Sequence, residues 1–268
     1  MPSPGGIEPF RRTVSEEETL RANRRDWDAY ADEYQDTHGQ FLGDVRFIWS
    51  PEGVDEAEVR VLGDPAGRDV LEIGCGAAQC ARWLTTQGAR AVGLDVSHRQ
   101  LQHGRRIDLH TGVVVPTVCG TATALPFADD SFDVAFSAFG ALQFVYDAAT
   151  AVAEVSRTLR PGGRFAFSVT HPIRWSMPDD PSAEGLVVTS SYWDRTPYVE
   201  QDADGTVTYA EHHRTIGDWV RILAANGFRI EDVLEPEWPE GHDRVWGGWG
   251  PVRGALIPGT AIFSARLA

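Results

Sequence analysis

Apolar and polar positions alternate along the chain in two different rhythms, and the change between them marks the elements. Short apolar runs recur at "DVLEIG" (69–74), "RAVGLDV" (90–96), "VVVPTVCG" (113–120), "FDVAFSA" (132–138) and "RFAFSVT" (164–170). Runs of this length, bounded by Gly and polar residues, predict strands buried on both faces. Between them lie helical patterns at 78–87, closed by Gly88, and at 97–106. A third has Val145, Val152, Val155 and Leu159 on one face and ends at Pro161-Gly162-Gly163. Strand alternating with helix predicts a doubly wound, mostly parallel sheet of the Rossmann-like α/β class.

The rhythm changes at both ends. Residues 1–15 read as a loose tail, and Ser15 with Glu18 three residues on reads as a helix cap. Trp27, Tyr30 and Tyr34 then share one helical face, so residues 1–50 form a tail and a helix that either covers a site as a lid or simply packs. Residues 51–268 form the main domain. Within it, 171–213 breaks the α/β pattern and predicts an insertion after the fifth strand, with "LVVTSSYW" and "TVTYAEHH" as a hairpin. The pattern resumes with the helix "IGDWVRILAANG" and the strands "FRIEDVLEP" and "GTAIFSARL", which bring the sheet to seven strands.

Composition narrows the partners. A chain of 268 residues with net charge −15 and pI about 4.9 repels phosphate backbones, which argues against nucleic acid. Cys75, Cys80 and Cys119 have neither CxxC spacing nor a paired framework, which fits a reducing cytosol and argues against a structural metal. Residues 1–10 are too polar for a signal peptide, and no apolar run approaches the about 18 residues of a membrane span. The expectation is a cytoplasmic protein, with oligomeric state open.

Candidate chemistry starts at Gly74 and Gly76, where the first strand turns into a helix. Two residues without Cβ let a ligand approach the backbone at a helix N-terminus. Asp95 ends the second strand, nineteen residues after Gly76, where a carboxylate can accept both hydroxyls of a ribose or serve only as a helix cap. A nicotinamide dehydrogenase fits less well, because Gln79 stands where the third glycine of G-x-G-x-x-G belongs. Glu72 inside the first strand suits a ligand with an ammonium group.

The run "VLEIGCGAAQCARWLTTQGARAVGLDVS" resembles the class I S-adenosylmethionine-dependent methyltransferases, in their ubiquinone/menaquinone-methyltransferase-like small-molecule branch. "GTATALPFADDSFDVAFS", "FGALQFV", "AVAEVSRTLRPGGRFAFS" and "HRTIGDWVRILAANGF" match in order. The resemblance implies methyl transfer from S-adenosyl-L-methionine to a small molecule. Its alternative is a protein of the same fold that binds without turnover or modifies a macromolecule. It also implies Gly74, Cys75, Gly76 and Ala77 at the methionine part, Asp95 at the ribose, and Val96 and Gln100 near adenine. Thr121 and Ala122 would lie at the adenine edge, where relatives commonly have Asp in place of Thr121. Ser137 would offer its carbonyl to the cofactor's amino group. Ala138, Phe139 and Gln143 would border the transfer site, with Tyr34 closing over the cofactor.

The acceptor end is read from the residues themselves. Trp175, Tyr192, Trp193, Trp246 and Trp249 belong to an aromatic-rich stretch that either fills a core or walls a pocket for an aromatic or apolar acceptor. His171 directly follows the fifth strand and is the candidate base, unless it only turns the chain at Pro172. His38, after the lid helix, is the second candidate.

Overall fold

The central strands are largely apolar on both faces because helices and loops cover the sheet from both sides. The computed structural model describes residues 10–268; the first nine residues of the expected tail lie outside it. In chain order the elements are β1 (Phe10–Arg11), α1 (Glu16–Leu42), α2 (Glu56–Val59), β2 (Asp69–Ile73), α3 (Gln79–Thr86), β3 (Arg90–Asp95), α4 (His98–Thr111) and β4 (Thr117–Cys119). There follow β5 (Phe132–Ala138), α5 (Ala148–Thr158), β6 (Leu159–Thr170), β7 (Tyr198–Gln201), β8 (Val207–Glu211), α6 (Ile216–Ala225), β9 (Phe228–Leu234), α7 (Pro251–Gly254) and β10 (Thr260–Leu267).

The main sheet has the order β4-β3-β2-β5-β6-β10-β9, and only β10 runs against its neighbours. Leu71, Ile73, Ala135, Phe165, Phe167 and Phe263 pack on one face with Val152 and Val155 of α5 and Trp219 and Leu223 of α6. Val70, Val134, Phe136, Ala166 and Ile262 alternate with them onto the other face, against Ala81 and Leu84 of α3 and Phe47 and Trp49. The strand order turns between β2 and β5, and their carboxyl ends open the crevice that doubly wound sheets use for ligands.

Several boundaries differ from the sequence reading. The tail is already ordered at Phe10–Arg11, which pairs with β7, and Val14 is buried. The predicted hairpin strand "LVVTSSYW" is not a strand: Val187 and Val188 are exposed, and β8 pairs instead with Tyr198–Gln201. That shorter stretch wins because Val199 buries against Val14, Ala22, Val207 and Ala210. The third strand shrinks to Thr117–Cys119. The long helix stops at Thr158, and Leu159 opens β6, with Pro161–Gly163 taken up where the pairing with β5 shifts register. The capping box at Ser15 and Glu18 forms as read.

One buried cation joins these parts. Arg82 of α3 is fully buried, and its guanidinium pairs with Asp108 at 2.8 Å. It also donates to the carbonyls of Ala77, Ala78, Gly104, Val113 and Asp44. Replacing it by Met leaves Asp108 and five carbonyls without this partner. Arg82→Met should therefore cost about 3–5 kcal/mol of stability, read as a lower midpoint in urea with unchanged slope.

Candidate functional site

The β2–α3 turn has a shape that only glycine supplies. Gly74 and Gly76 have φ of 71° and 53°, in the left-handed region where a side chain is strained. A Cβ on Gly74 would sit 2.6 Å from the backbone carbon of Gly140. The turn after β2 thus touches the loop after β5 backbone to backbone. Ala78, the residue before α3, also has positive φ (59°) and carries no side-chain cap. Its conformation is imposed by its surroundings, as is that of Phe139 (φ 58°). Phe139 donates its N–H to Ser168 Oγ, which in turn donates to the carbonyl of Trp49.

Below the turn, Glu72 accepts the N–H of Ala81 at 2.9 Å, and burial pushes its carboxyl up to about 8. At the end of β3, Asp95 accepts the N–H of Gly76 and of Ser97, each at 2.7 Å. Burial raises its pKa to about 6 despite those bonds. Each oxygen retains a lone pair for a further donor.

These groups open onto a cavity with about 1400 Å³ of free space, its mouth included, running beneath α1. Tyr34, Gly74, Cys75, Gly76, Ala77, Asp95, Val96, Gln100, Thr121, Ala122, Ala138 and Phe139 all line it. Ser137 and Gln143 do not. Ser137 Oγ accepts the N–H of Ala141, and Gln143 Oε1 accepts that of Thr170, so both brace the loop from behind. Thr121 bonds Thr123, two residues on.

The roof is α1. Gln35 donates to Gln100 Oε1 and accepts from Gln79 Nε2, joining the helix to both sides of the glycine turn. Trp27 meets Tyr34 and Phe144 edge-on, each at 5.5 Å. Trp246 lines the cavity and stacks on His38 at 3.9 Å. His38 itself is held neutral: burial and the charge of Arg244, 3.3 Å from its Nδ1, push its pKa down to about 4.

The other expected aromatics sit elsewhere. Trp175 is buried between the guanidinium groups of Arg11 and Arg174. Tyr192 accepts the N–H of Ile216, Trp193 is 69% exposed, and Trp249 is buried under Arg253. His171 is also off the cavity wall. Its Nδ1 accepts the N–H of Ile173 and its Nε2 lies 2.8 Å from Glu235, so both ring nitrogens are engaged.

Several cavity residues escaped the sequence reading: Gln35, Phe41, Arg46, Trp49 and Phe144. Among the described residues Arg46 is the one cationic side chain on the wall, and it pairs with Asp55 at 2.9 Å; the acids Glu16, Glu72 and Asp95 also line the cavity. Gln35 follows Tyr34 directly, and the helical spacing that marked Tyr34 passes it by. Nothing periodic distinguishes Trp49 in "DVRFIWSP". Among the described residues no group of His, Cys, Asp or Glu forms a metal site, and no helix is long and apolar enough to cross a membrane.

Comparison with known proteins gives this geometry a context. A family of methyltransferase domains matches residues 71–167. A demethylmenaquinone methyltransferase of Mycobacterium sp. (strain JLS) is 39% identical over 139 residues, 52% of this chain and 55% of that one. A ubiquinone/menaquinone biosynthesis C-methyltransferase of Marinomonas sp. (strain MWYL1) is 31% identical over 57% of this chain and 61% of that one. The chain thus aligns with little more than half the length of these curated relatives. An S-adenosylmethionine-dependent methyltransferase structure from Mesorhizobium loti is 30% identical and covers 81% of this chain and 100% of its own, with TM-score 0.64. A Burkholderia thailandensis 1,6-didemethyltoxoflavin N1-methyltransferase, solved with its substrate and S-adenosylhomocysteine, shares the fold over 98% of this chain and 95% of its own at 17% identity and TM-score 0.63.

The raised acids set a direction for pH dependence. Free Glu72 and Asp95 hold protons up to about 8 and about 6. A ligand that set an ammonium near the first and hydroxyls on the second would favour their charged forms, and its binding would release protons. The affinity for S-adenosylhomocysteine should rise as pH goes from 5.5 to 8, and calorimetry in buffers of different ionisation heat should show the release. An affinity that is flat across that range would show that neither carboxyl meets the ligand.

Proposed function

We propose, for a chain that belongs to the class I S-adenosylmethionine-dependent methyltransferases and takes S-adenosylmethionine as cofactor, that it methylates a small, neutral, aromatic acceptor of the quinone-like class. One observation carries this reading: a single cavity joins the glycine turn and Asp95 to a wall made of Trp27, Tyr34, Phe144 and Trp246. The names of the quinone-methylating relatives support the acceptor class.

The residues present fit the cofactor. Gly74 and Gly76 clear space at the start of α3, where free N–H groups favour a polar or anionic group. In this reading Asp95 takes the ribose, Glu72 the ammonium, and Arg46, now paired with Asp55, faces the carboxylate. Thr121 offers a neutral hydroxyl at the adenine edge. When bound, S-adenosylmethionine supplies a methyl group on a sulfonium, which is already an activated leaving group.

The protein's share of the work is alignment and exclusion of water. Phe139 is fixed in its positive-φ conformation by Ser168, which sets the cavity floor at the end of β5. The aromatic roof of α1 gives a flat acceptor an apolar surface and keeps bulk water out. Among the described residues no His or Lys lines the cavity. His171 serves to turn the chain out of β6, with Glu235 as its partner.

The test is methyl transfer from labelled S-adenosylmethionine to a panel of naphthols, quinols and amines. Transfer to neutral ring-hydroxylated or quinol acceptors is expected, and transfer only to amines or to macromolecules would overturn the reading. Asp95→Ala should weaken S-adenosylhomocysteine at least about tenfold, the effect of losing hydrogen bonds to a charged group. His171→Gln should leave turnover within about twofold, whereas a loss of about a hundredfold would restore His171 as a base.

A further inference from the structure

Beneath the N-terminal half of α1 the cavity is lined by Thr19, Leu20, Phe144, Val145 and Tyr146. Leu20 and Tyr146 are 40% and 46% exposed, so this end reaches the surface. Among the described residues it holds one charged side chain, Glu16, and one buried polar pair. Thr19, 2% exposed, lies with Oγ1 3.2 Å from Nε2 of His212 on β8's outgoing chain. His212 is fixed in place. Its N–H donates to the carbonyl of Gln143, and its ring meets Tyr146 edge-on at 5.7 Å. Behind it, Arg214 donates to the carbonyls of Leu142, Val145 and Tyr146, which holds the whole loop against the insertion.

We propose that Thr19, backed by His212, is the specificity-determining contact for the acceptor, reading one neutral oxygen (a hydroxyl or a carbonyl) on an otherwise apolar ring. This rests on the reading of the cavity as a methyltransferase site and adds what the acceptor must carry. The neighbouring amide is less free, with no donor left to offer a carbonyl. Asn23 has spent both N–H donors on Phe144 and Ala210 carbonyls and its oxygen on the Ala210 N–H. Thr19 is different, because one bond to His212 leaves the rest of its hydroxyl capacity free.

The imidazole makes the pair adaptable. Burial and the charge of Arg214 keep His212 neutral, with its pKa down to about 4. With Nε2 bare, the ring accepts the Thr19 O–H, and the Thr19 oxygen can accept from an acceptor hydroxyl. With Nε2 protonated, the ring donates to Thr19, whose O–H can then donate to an acceptor carbonyl. The oxidised and reduced forms of one ring system therefore meet the same contact. A carboxylate would instead face Glu16 in a chain of net charge −15.

The proposal is tested on the full-length protein saturated with S-adenosylhomocysteine, by titrating 2-naphthol, naphthalene and 2-naphthoate against tryptophan fluorescence. The unmodified protein should bind 2-naphthol about tenfold more tightly than naphthalene, the value of one well-placed hydrogen bond, and 2-naphthoate more weakly than either. Thr19→Val should erase the preference for 2-naphthol while naphthalene and S-adenosylhomocysteine bind as before. Thr19→Ser should keep it. No preference in the unmodified protein, or a preference that survives Thr19→Val, would overturn the proposal, as would the absence of 2-naphthol binding. Failure to bind S-adenosylhomocysteine at all would instead strike the reading beneath it.

Discussion

The guanidinium of Arg82 is the contact on which the other parts of the site depend. Burying a cation completely is costly unless every donor finds a partner, and here the partners come from separate segments, Val113 after α4 among them. Ala77 and Ala78 belong to the glycine turn, Gly104 and Asp108 to α4, and Asp44 to the chain leaving α1. The same group that stabilises the fold therefore fixes the distance between the turn, the helix behind Asp95 and the end of the roof. The positive φ at Ala78 is tolerable because its carbonyl is held there and Glu72 takes the Ala81 N–H one turn on.

A second constraint acts across the crevice. The turn after β2 and the loop after β5 meet at Gly74 and Gly140, where neither backbone leaves room for a side chain. That loop is held from its other side by elements the Rossmann-like rhythm does not contain. Asn23 of α1 clamps Phe144 and Ala210 together, and Arg214 gathers the carbonyls of Leu142, Val145 and Tyr146. The roof helix, the insertion and the loop after β5 are thus tied into one unit. Its cavity side is aromatic, and its polar side chains there are mostly satisfied by one another.

Burial also sets the charge state of the site. Glu72 and Asp95 are acids whose ordinary range lies well below neutrality, yet burial pushes them up to about 8 and about 6. His38 and His212 move the opposite way, to about 4, so both imidazoles are neutral. At neutral pH Glu72 is therefore protonated while Asp95 is mostly ionised, so the cavity carries less negative charge than its list of residues implies.

The sequence alone determined the alternation of strand and helix, the glycine turn, the carboxylate at the end of β3 and the cap of α1. These are local matters: periodicity, positive φ and a capping box each depend on a few neighbouring residues. It also marked α1 as aromatic on one face, although it left open whether that face covered a site. Tertiary structure decided the rest. Whether Trp246 or Trp175 walls the cavity depends on which loop reaches α1, since both are aromatic residues in irregular chain. His171 stands at a strand end in either view, but only the fold shows Ile173 and Glu235 occupying its two nitrogens. Val199, rather than the longer apolar run at 186–193, makes the strand beside β8 because only Val199 finds a core to bury in. Arg82 and Thr19 carry no local signal at all, for their partners lie up to 193 residues away in the chain.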